Sequence, residues 1–135
     1  CKSDLELSHK IKNEFQKFIN EWESLDFFSQ QKIRNPEGYK IQKSIRNSQN
    51  PIQLAFALDN LGIGIMPNYW DKISKFDFPV LIVCGDEDSK FCSIGQKMSE
   101  IIPNSQFNIV SNSGHSPQLE QPFEVANLIN KFIKS

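Results

Sequence analysis

The sequence predicts an α/β protein in which a helical region precedes two parallel strands and their helices. Residues 1–75 are polar and carry apolar side chains at helical spacing. Residues 76–135 alternate between short apolar runs and amphipathic segments, in the order strand, helix, strand, helix. That order is typical of a parallel sheet with right-handed crossovers. We therefore divide the chain at residue 76 into a helical region and a sheet-containing region.

In the helical region, apolar spacing and helix-start signals predict four helical segments. Asn35-Pro36 and Asn50-Pro51 are helix starts, because Pro is favoured at the first helical position. The glycines that follow residue 61 end the second of these helices. The predicted segments are residues 5–20, 36–47, 52–61 and 69–73, and the stretch 22–28 is too short and irregular to assign.

In the sheet-containing region, two short β-branched-rich runs predict strands. Residues 78–84 are continuously apolar, as in a strand buried on both faces of a parallel sheet, and Gly85 closes the run. An amphipathic helix over 94–102 leads to the second strand, 106–110. Pro122 opens a last helix. Its predicted buried stripe comprises Val125, Leu128, Ile129, Phe132 and Ile133.

Composition and charge indicate an ordinary globular protein. Apolar residues make up 39% of the chain, and 15 basic residues against 16 acidic ones leave a net charge of −1. A nucleic-acid-binding protein would need a clustered basic face. Residues 32–46 are rich in Lys and Arg but include Glu37, and they fit a solvated or substrate-facing helix as well as they fit a polyanion site. The longest apolar run is too short to cross a bilayer. Neither nucleic acid nor a membrane is therefore an expected partner.

The three cysteines, at positions 1, 84 and 92, lack the spacing of a metal site. Cys84 lies in the apolar run and is predicted to be a small core residue. We expect a protein of the reducing cytoplasm, with no metal and no cofactor. Because the sequence begins with Cys and not Met, we expect the chain to be an excised or truncated piece of a longer protein.

Two loops at predicted strand ends carry the residues best suited to chemistry. Asp86, Glu87 and Asp88 follow the first strand, and His115 follows the second. Ligands bind outside the carboxyl ends of parallel strands. An acid there can accept a hydrogen bond from the histidine, fix its tautomer and stabilise its protonated form. The acids are also explained as solvated turn residues and His115 as a structural residue, while His9, on a charged helix, is expected to be inert.

These loops resemble the C-terminal signature of the α/β-hydrolase superfamily. The resemblance rests on residues 80–88, on His115 27 residues after the second Asp of the loop, and on the tail 119–125, which contains a Glu-x-Pro stretch. An acid followed by a histidine, after an earlier serine, is that superfamily's chain order. The resemblance implies that Asp88 is the catalytic acid and His115 the catalytic base. It also implies the C-terminal portion of the fold, namely its last two parallel strands with their helices, preceded by a helical cap.

A narrower resemblance is to the MenH family, the 2-succinyl-6-hydroxy-2,4-cyclohexadiene-1-carboxylate synthases. Residues 85–91 are similar to that family's Gly-x-x-Asp-x-Lys-Phe loop, and residues 18–28 to its Trp-containing cap segment. Residues 45–51 and 57–72 resemble its Arg-x-x-Asn-Asn-Pro boundary and the stretch that follows. The sequence has no Gly-x-Ser-x-Gly motif and no oxyanion-hole His-Gly motif. It also departs from the family pattern at Asp59, Ile63, Ser116 and Pro117.

The resemblance implies an elimination reaction in menaquinone biosynthesis. A serine outside this chain acts with the Asp88–His115 pair as a base, and pyruvate leaves a cyclohexene carboxylate that carries succinyl and enolpyruvyl groups. A small molecule so rich in carboxylates needs cations in fixed geometry. The implied substrate-binding residues are Arg46, Lys90 and Trp22. They are also explained, in that order, as a cation at a helix end, a solvated lysine and a packing residue.

Two other functions are kept open. The chain also fits another α/β-hydrolase, such as an esterase or a carbon–carbon bond hydrolase. It fits, too, a non-catalytic interaction module whose sheet edge is covered by a partner. Two parallel strands do not make a stable sheet alone. Further strands are therefore expected, from the missing N-terminal half of the fold or from a dimer partner.

Overall fold

The computed structural model describes residues 2–134, including every side chain except those of residues 2, 3 and 27; Cys1 and Ser135 lie outside it. The helical region comprises α1 (Lys2–Asn13), α2 (Phe15–Glu23), α3 (Asp26–Arg34), α4 (Pro36–Asn47), α5 (Pro51–Leu61) and α6 (Trp70–Ile73). The sheet-containing region comprises β1 (Val80–Gly85), α7 (Ser89–Ile101), β2 (Ser105–Val110), α8 (Pro117–Glu120) and α9 (Pro122–Lys134). The division at residue 76 falls between α6 and β1, and its standing as a domain boundary stays a prediction.

The N-terminal amphipathic stretch forms two helices, so the single helix predicted over 5–20 is wrong. Glu14, between α1 and α2, has φ −136° and ψ 43°, which are not helical values. Backbone hydrogen bonds nevertheless continue across it, from Glu14 N to Lys10 O and from Phe18 N to Glu14 O, both at 2.8 Å. The apolar spacing runs through the interruption, which is why periodicity does not reveal it. The unassigned stretch 22–28 holds the end of α2 and the start of α3.

Both predicted Asn-Pro helix starts are confirmed. Asn35 Oδ1 accepts a hydrogen bond from Gly38 N at 2.9 Å at the start of α4. Asn50 Oδ1 accepts hydrogen bonds from Ile52 N at 3.0 Å and Gln53 N at 3.1 Å at the start of α5. These bonds satisfy backbone N–H groups that have no partner within the helix. The helical turn predicted at 69–73 is also present, as α6.

The helical region has a core of its own. Its buried members are Ile11, Phe18, Ile19 and Ala55, which come from α1, α2 and α5. Leu7, Phe15, Leu54 and Leu58 pack around them and are half-buried. The region is therefore more than a covering layer, because it buries an apolar cluster without help from the sheet.

β1 and β2 pair in parallel, as predicted, with Val80 opposite Ser105. β1 begins at Val80 and leaves Phe78 exposed outside the strand. The prediction of burial on both faces is wrong for residues 80–83, which are half-buried, because β2 is the one strand beside β1 within residues 2–134. Parallel pairing brings the carboxyl ends of both strands to the same edge.

α7 packs closely on the sheet and begins at Ser89, more than one turn earlier than predicted. Its start is set by Asp88, whose side chain caps the first turn. At Gly95 a Cβ atom would lie 2.8 Å from the Phe107 ring and 2.9 Å from Cys84 Sγ. Glycine therefore allows the close approach, and Cys84 is buried beneath it as predicted.

α9 follows an additional helical turn, α8, that the sequence did not predict. Val125 is buried, and Leu128 and Phe132 are half-buried. Ile129 and Ile133 are exposed, so the prediction of a wholly buried stripe is wrong. The two described strands are too narrow to cover the full width of the helix face.

Candidate active site

The first two carboxylates of the acid turn, defined as residues 86–88, connect it to other parts of the fold. Asp86 accepts hydrogen bonds at 3.1 Å from the backbone N–H groups of Ser113 and Asn112. These hydrogen bonds hold the pKa of the Asp86 carboxyl below its usual value. Glu87 pairs with the guanidinium of Arg34 on α3. Both side chains therefore have structural partners.

The third carboxylate, Asp88, is paired with His115. His115 Nδ1 lies 2.7 Å from Asp88 Oδ2. An ionised Asp88 only accepts hydrogen bonds, so a hydrogen bond to it requires the ring hydrogen on Nδ1 and, in a neutral imidazole, leaves Nε2 as the acceptor nitrogen. Asp88 Oδ1 accepts a hydrogen bond from Phe91 N at 3.1 Å, which caps α7. The two oxygens of one carboxylate thus orient the imidazole and begin the helix.

The surroundings of the pair differ on its two sides. The His115 side chain is 47% exposed and the Asp88 side chain 15%. The Phe91 ring meets the imidazole edge-on, with ring centroids 4.8 Å apart and planes at 65°. The acid is therefore shielded, while the imidazole is accessible from the cleft described below.

The end of β1 comes so close to the backbone of residues 113 and 114 that Gly85 has no room for a side chain. A Cβ atom there would lie 2.2 Å from Gly114 O and 2.3 Å from Ser113 O. Glu87 N also donates to Ser113 O at 3.0 Å. Asn112 has φ 53°, in the left-handed region that Asn tolerates better than most residues. The backbone therefore fixes the histidine loop, defined as residues 111–116, against the acid turn.

A cleft of about 800 Å³ opens beside the pair, which is within the size range of small-molecule sites. Asp88 and His115 line it together with Lys90 and neighbouring residues of the strand-end loops. The helical region contributes the opposite lining, from Trp22, Asp26, Ser29 and Gln30. A ligand in this cleft would contact both regions of the chain.

The structure brings two of the three predicted substrate-binding residues into this cleft. Lys90 is exposed, and its Nζ lies 5.6 Å from the centroid of the Phe91 ring. Trp22 lies at the border between the cleft and a second cavity of about 420 Å³. Their roles in binding a substrate stay predictions.

Arg46, the third predicted residue, lines the second cavity instead of the cleft. Its Nε donates to Glu23 Oε1 at 3.1 Å, and Nη2 lies 3.1 Å from the same oxygen. The guanidinium carbon lies 4.7 Å from the centre of the Phe28 ring and 5.6 Å from that of Tyr39. Arg46 therefore has protein partners in this structure, and its role towards a substrate also stays a prediction.

Sequence reasoning missed Arg34 and Glu120. Arg34 pairs with both Glu87 and Glu120, and these carboxylates raise the pKa of Arg34 above its ordinary value. Glu120 Oε2 also accepts a hydrogen bond from Gly114 N at 3.0 Å. Arg34 and Glu120 are 86 residues apart, so local spacing carried no signal for their pairing. Glu120 was recognised only as part of the superfamily signature.

Other candidates lie apart from this site. His9 is exposed on α1 and does not line the cleft. Within residues 2–134, no group of three or more His, Cys, Asp or Glu side chains is arranged to hold a metal ion. In the same part of the chain, no helix combines the length and apolarity needed to cross a membrane.

Comparisons with known proteins bear on this arrangement, although no family profile matches the chain. A curated Bacillus subtilis (strain 168) protein named "Putative 2-succinyl-6-hydroxy-2,4-cyclohexadiene-1-carboxylate synthase" is 34% identical over 126 residues, which are 93% of this chain and 46% of that protein. The structure of MenH from S. aureus superposes with a TM-score of 0.92 at 33% identity, over 98% of this chain and 50% of that chain. A malate-bound thermophilic esterase from Thermogutta terrifontis superposes with a TM-score of 0.82 at 25% identity, over 98% and 49%.

The chain spans about half the length of the proteins it matches. The matches cover nearly all of its own residues and include both the helical region and the strands. The parallel register and the placement of the acid turn and histidine loop agree with the same fold. The chain therefore belongs to the α/β-hydrolase superfamily, with the fold of its C-terminal portion and a resemblance to MenH.

Proposed function

We propose that this chain supplies the acid and the base of a Ser-His-Asp triad in a MenH-like carbon–oxygen lyase of menaquinone biosynthesis. The observation that carries the proposal is the 2.7 Å contact between His115 Nδ1 and Asp88 Oδ2, at the common edge of two parallel strands and beside a cleft. The relatives named as 2-succinyl-6-hydroxy-2,4-cyclohexadiene-1-carboxylate synthase or MenH support the choice of reaction.

In this proposal Asp88 fixes the tautomer of His115 and stabilises the imidazolium that forms during reaction. Nε2 then accepts the proton of a serine hydroxyl, as in other triads. The sequence contains no Gly-x-Ser-x-Gly elbow. The serine and the oxyanion hole therefore belong to the N-terminal half of the fold, which also supplies the additional strands.

The proposed reaction transfers a proton and breaks one carbon–oxygen bond. The serine, made basic by His115, removes a proton from the cyclohexene carboxylate. The proton of the serine hydroxyl passes to His115 Nε2, and the serine oxygen takes the proton from the substrate carbon. The electron pair of that C–H bond moves through the conjugated system, the bond to the enolpyruvyl oxygen breaks, and the group leaves as the enolate of pyruvate. The imidazolium gives its proton to this enolate, which yields pyruvate and returns the triad to its starting state.

Lys90 is the cation proposed to meet a substrate carboxylate in the cleft. It lies two residues after Asp88, on the first turn of α7, so a carboxylate bound to it would lie near His115. Trp22 is proposed to form the wall opposite, and Arg46 to bind a second carboxylate beyond it. For Arg46 this role requires that a substrate carboxylate compete with Glu23.

The test uses the intact gene product and measures pyruvate release from the enolpyruvyl substrate with a coupled dehydrogenase. His115→Ala should lower kcat by about 10²- to 10⁴-fold, the usual contribution of a general base. His9→Ala, the same substitution at an exposed position outside the cleft, should leave turnover unchanged.

Ester hydrolysis is measured in parallel, because the thermophilic esterase is also a close structural match. A wild-type protein that hydrolyses p-nitrophenyl esters in a His115-dependent manner, but releases no pyruvate, would favour the esterase. A protein with neither activity would contradict the triad assignment and favour an interaction module.

A further inference from the structure

Arg34 lies at the last position of α3 and connects the helical region to two elements of the sheet-containing region. Its Nη2 donates to Glu87 Oε1 in the acid turn, and its Nη1 donates to Glu120 Oε2 on α8. The side chain is 16% exposed. A planar guanidinium presents several N–H groups in fixed directions, so one arginine can hold two carboxylates that come from different loops.

Glu120 is the more deeply buried partner, with a side chain 1% exposed. Its Oε2 also accepts a hydrogen bond from Gly114 N at 3.0 Å, and Gly114 immediately precedes His115. An ionised carboxylate at such a depth is stable only when it is paired and hydrogen-bonded. Arg34 therefore maintains the acceptor that holds the backbone next to the histidine.

A second side chain strengthens the same junction. Asn35 Nδ2 donates to Leu119 O at 2.8 Å, while Asn35 Oδ1 caps α4 through Gly38 N. The junction between α3 and α4 is thus bound to α8 through two consecutive residues, Arg34 and Asn35. A movement of α3 would be transmitted to α8 and from there to the histidine loop.

Neither Arg34 nor Glu120 is among the described residues that line the cleft. They are therefore not placed to touch a ligand bound there. Their effect on chemistry would pass through Gly114 and, on the acid side, through Glu87, which is the neighbour of Asp88.

We propose that Arg34 and Glu120 are positioning residues, whose ion pair holds the histidine loop so that His115 stays aligned with Asp88. The position of the cap helix α3 is thereby coupled to the position of the base. This inference rests on the proposed triad function. It adds one requirement to the triad: α3 must be docked against α8 for His115 to act as the base.

The first experiment compares Arg34→Met with Lys12→Met in the intact gene product. Lys12 pairs with Asp59 at 2.9 Å and joins α1 to α5 within the helical region, so its substitution removes an inter-helix ion pair between two residues that do not line the cleft. Arg34→Met should lower kcat by about 10²-fold, the effect of a misplacement of about 1 Å, with KM close to wild type. Lys12→Met should change neither value.

The double variant Arg34→Met/Glu120→Gln separates positioning from folding. Arg34→Met alone leaves a buried carboxylate without its cation, which should lower Tm. The double variant removes that charge as well and should regain Tm. Its kcat should stay low, because the ion pair between α3 and α8 is still absent and the Asn35 hydrogen bond to Leu119 O is left to hold the junction. Recovery of kcat together with Tm would show that Arg34 only neutralises Glu120, and the proposal would be overturned.

A second readout does not depend on turnover. The Nδ1–H proton of His115, held by Asp88, should give a downfield ¹H NMR resonance in the wild-type protein. Arg34→Met and the double variant should broaden or shift it, and Lys12→Met should leave it in place. An unchanged resonance in Arg34→Met would refute the positioning role. If the resonance responds as expected while the wild-type protein releases no pyruvate, the proposed function fails and the positioning role stands.

Discussion

Asp88 makes two hydrogen bonds with two different oxygens, so one substitution can remove one bond and keep the other. Oδ1 accepts from Phe91 N at 3.1 Å and begins α7, while Oδ2 lies 2.7 Å from His115 Nδ1. In Asp88→Asn, the amide oxygen can still accept from Phe91 N. The amide NH₂ then faces His115 Nδ1 and donates to it, which forces the ring hydrogen onto Nε2. In Asp88→Ala, both bonds are lost.

Loss of the bond to His115 affects kcat, whereas loss of the bond to Phe91 N affects stability. In Ser-His-Asp triads, which we propose for this site, a histidine held in the wrong tautomer costs about 10⁴-fold in kcat. Replacing a good N-cap by Ala costs about 1 kcal/mol, whereas Asn caps a helix as well as Asp does. A loss of about 1 kcal/mol lowers Tm by about 2–8 °C, depending on the size of the domain. Both variants should therefore lose activity, and only Asp88→Ala should lose measurable stability.

The assay combines steady-state pyruvate release with calorimetric measurement of Tm, using the intact gene product. Asp77→Asn, at an exposed position before β1, is the matched control and should behave as wild type. Activity of Asp88→Asn within about tenfold of wild type would refute the argument from the tautomer. A Tm of Asp88→Asn as low as that of Asp88→Ala would refute the separation of the two oxygens.

Two further predictions concern the turns that hold the pair. Gly85→Ala would place a Cβ atom 2.2 Å from Gly114 O. The histidine loop must then move by about 1 Å, and kcat should fall by about 10²-fold. In Gly114→Ala the nearest contact of the new Cβ atom is an ordinary 3.4 Å to Glu120 Oε1, so an equal loss of kcat there would contradict the steric argument. The N–H groups of Ser113 and Asn112 lower the pKa of Asp86 in the folded protein. The ionised carboxylate therefore stabilises the fold fully above the unfolded pKa of about 3.9, and this stabilisation is lost as the pH falls through the lower folded pKa. In Tm measurements between neutral and acidic pH, Asp86→Asn should therefore lose less stability on acidification than wild type, and parallel curves would disprove the assignment.

Features set by local chemistry could be predicted from the sequence, because their causes lie within a few residues. Asn35 and Asn50 each cap a helix through backbone N–H groups two or three positions later, and both starts were predicted. The parallel pairing of the strands also follows from the order of the elements. The interruption at Glu14 did not follow, since apolar spacing is the same on both sides of it.

The sequence predicted which loops carry the acid and the histidine, but not which side chains pair with one another. The residues alone could not decide among Asp86, Glu87 and Asp88, because each lies in the same turn after β1. The structure separates them through partners that are distant in sequence: the backbone near residue 112, Arg34 and His115. Arg34 had no local signal at all. Long-range ion pairs depend on how helices dock, and no periodicity or capping rule encodes that.

The charges around the cleft restrict how the proposed carboxylate-rich substrate can bind. The described lining carries three carboxylates, those of Asp26, Glu87 and Asp88, and one ammonium, that of Lys90. Glu87 is partly neutralised by Arg34, but the balance is still unfavourable for an anion held by Lys90 alone. Arg46 lies in the adjoining cavity, and Trp22 is the residue that both cavities share. A substrate with several carboxylates therefore has to extend past Trp22 to reach Arg46, or draw its other cations from the N-terminal half of the fold.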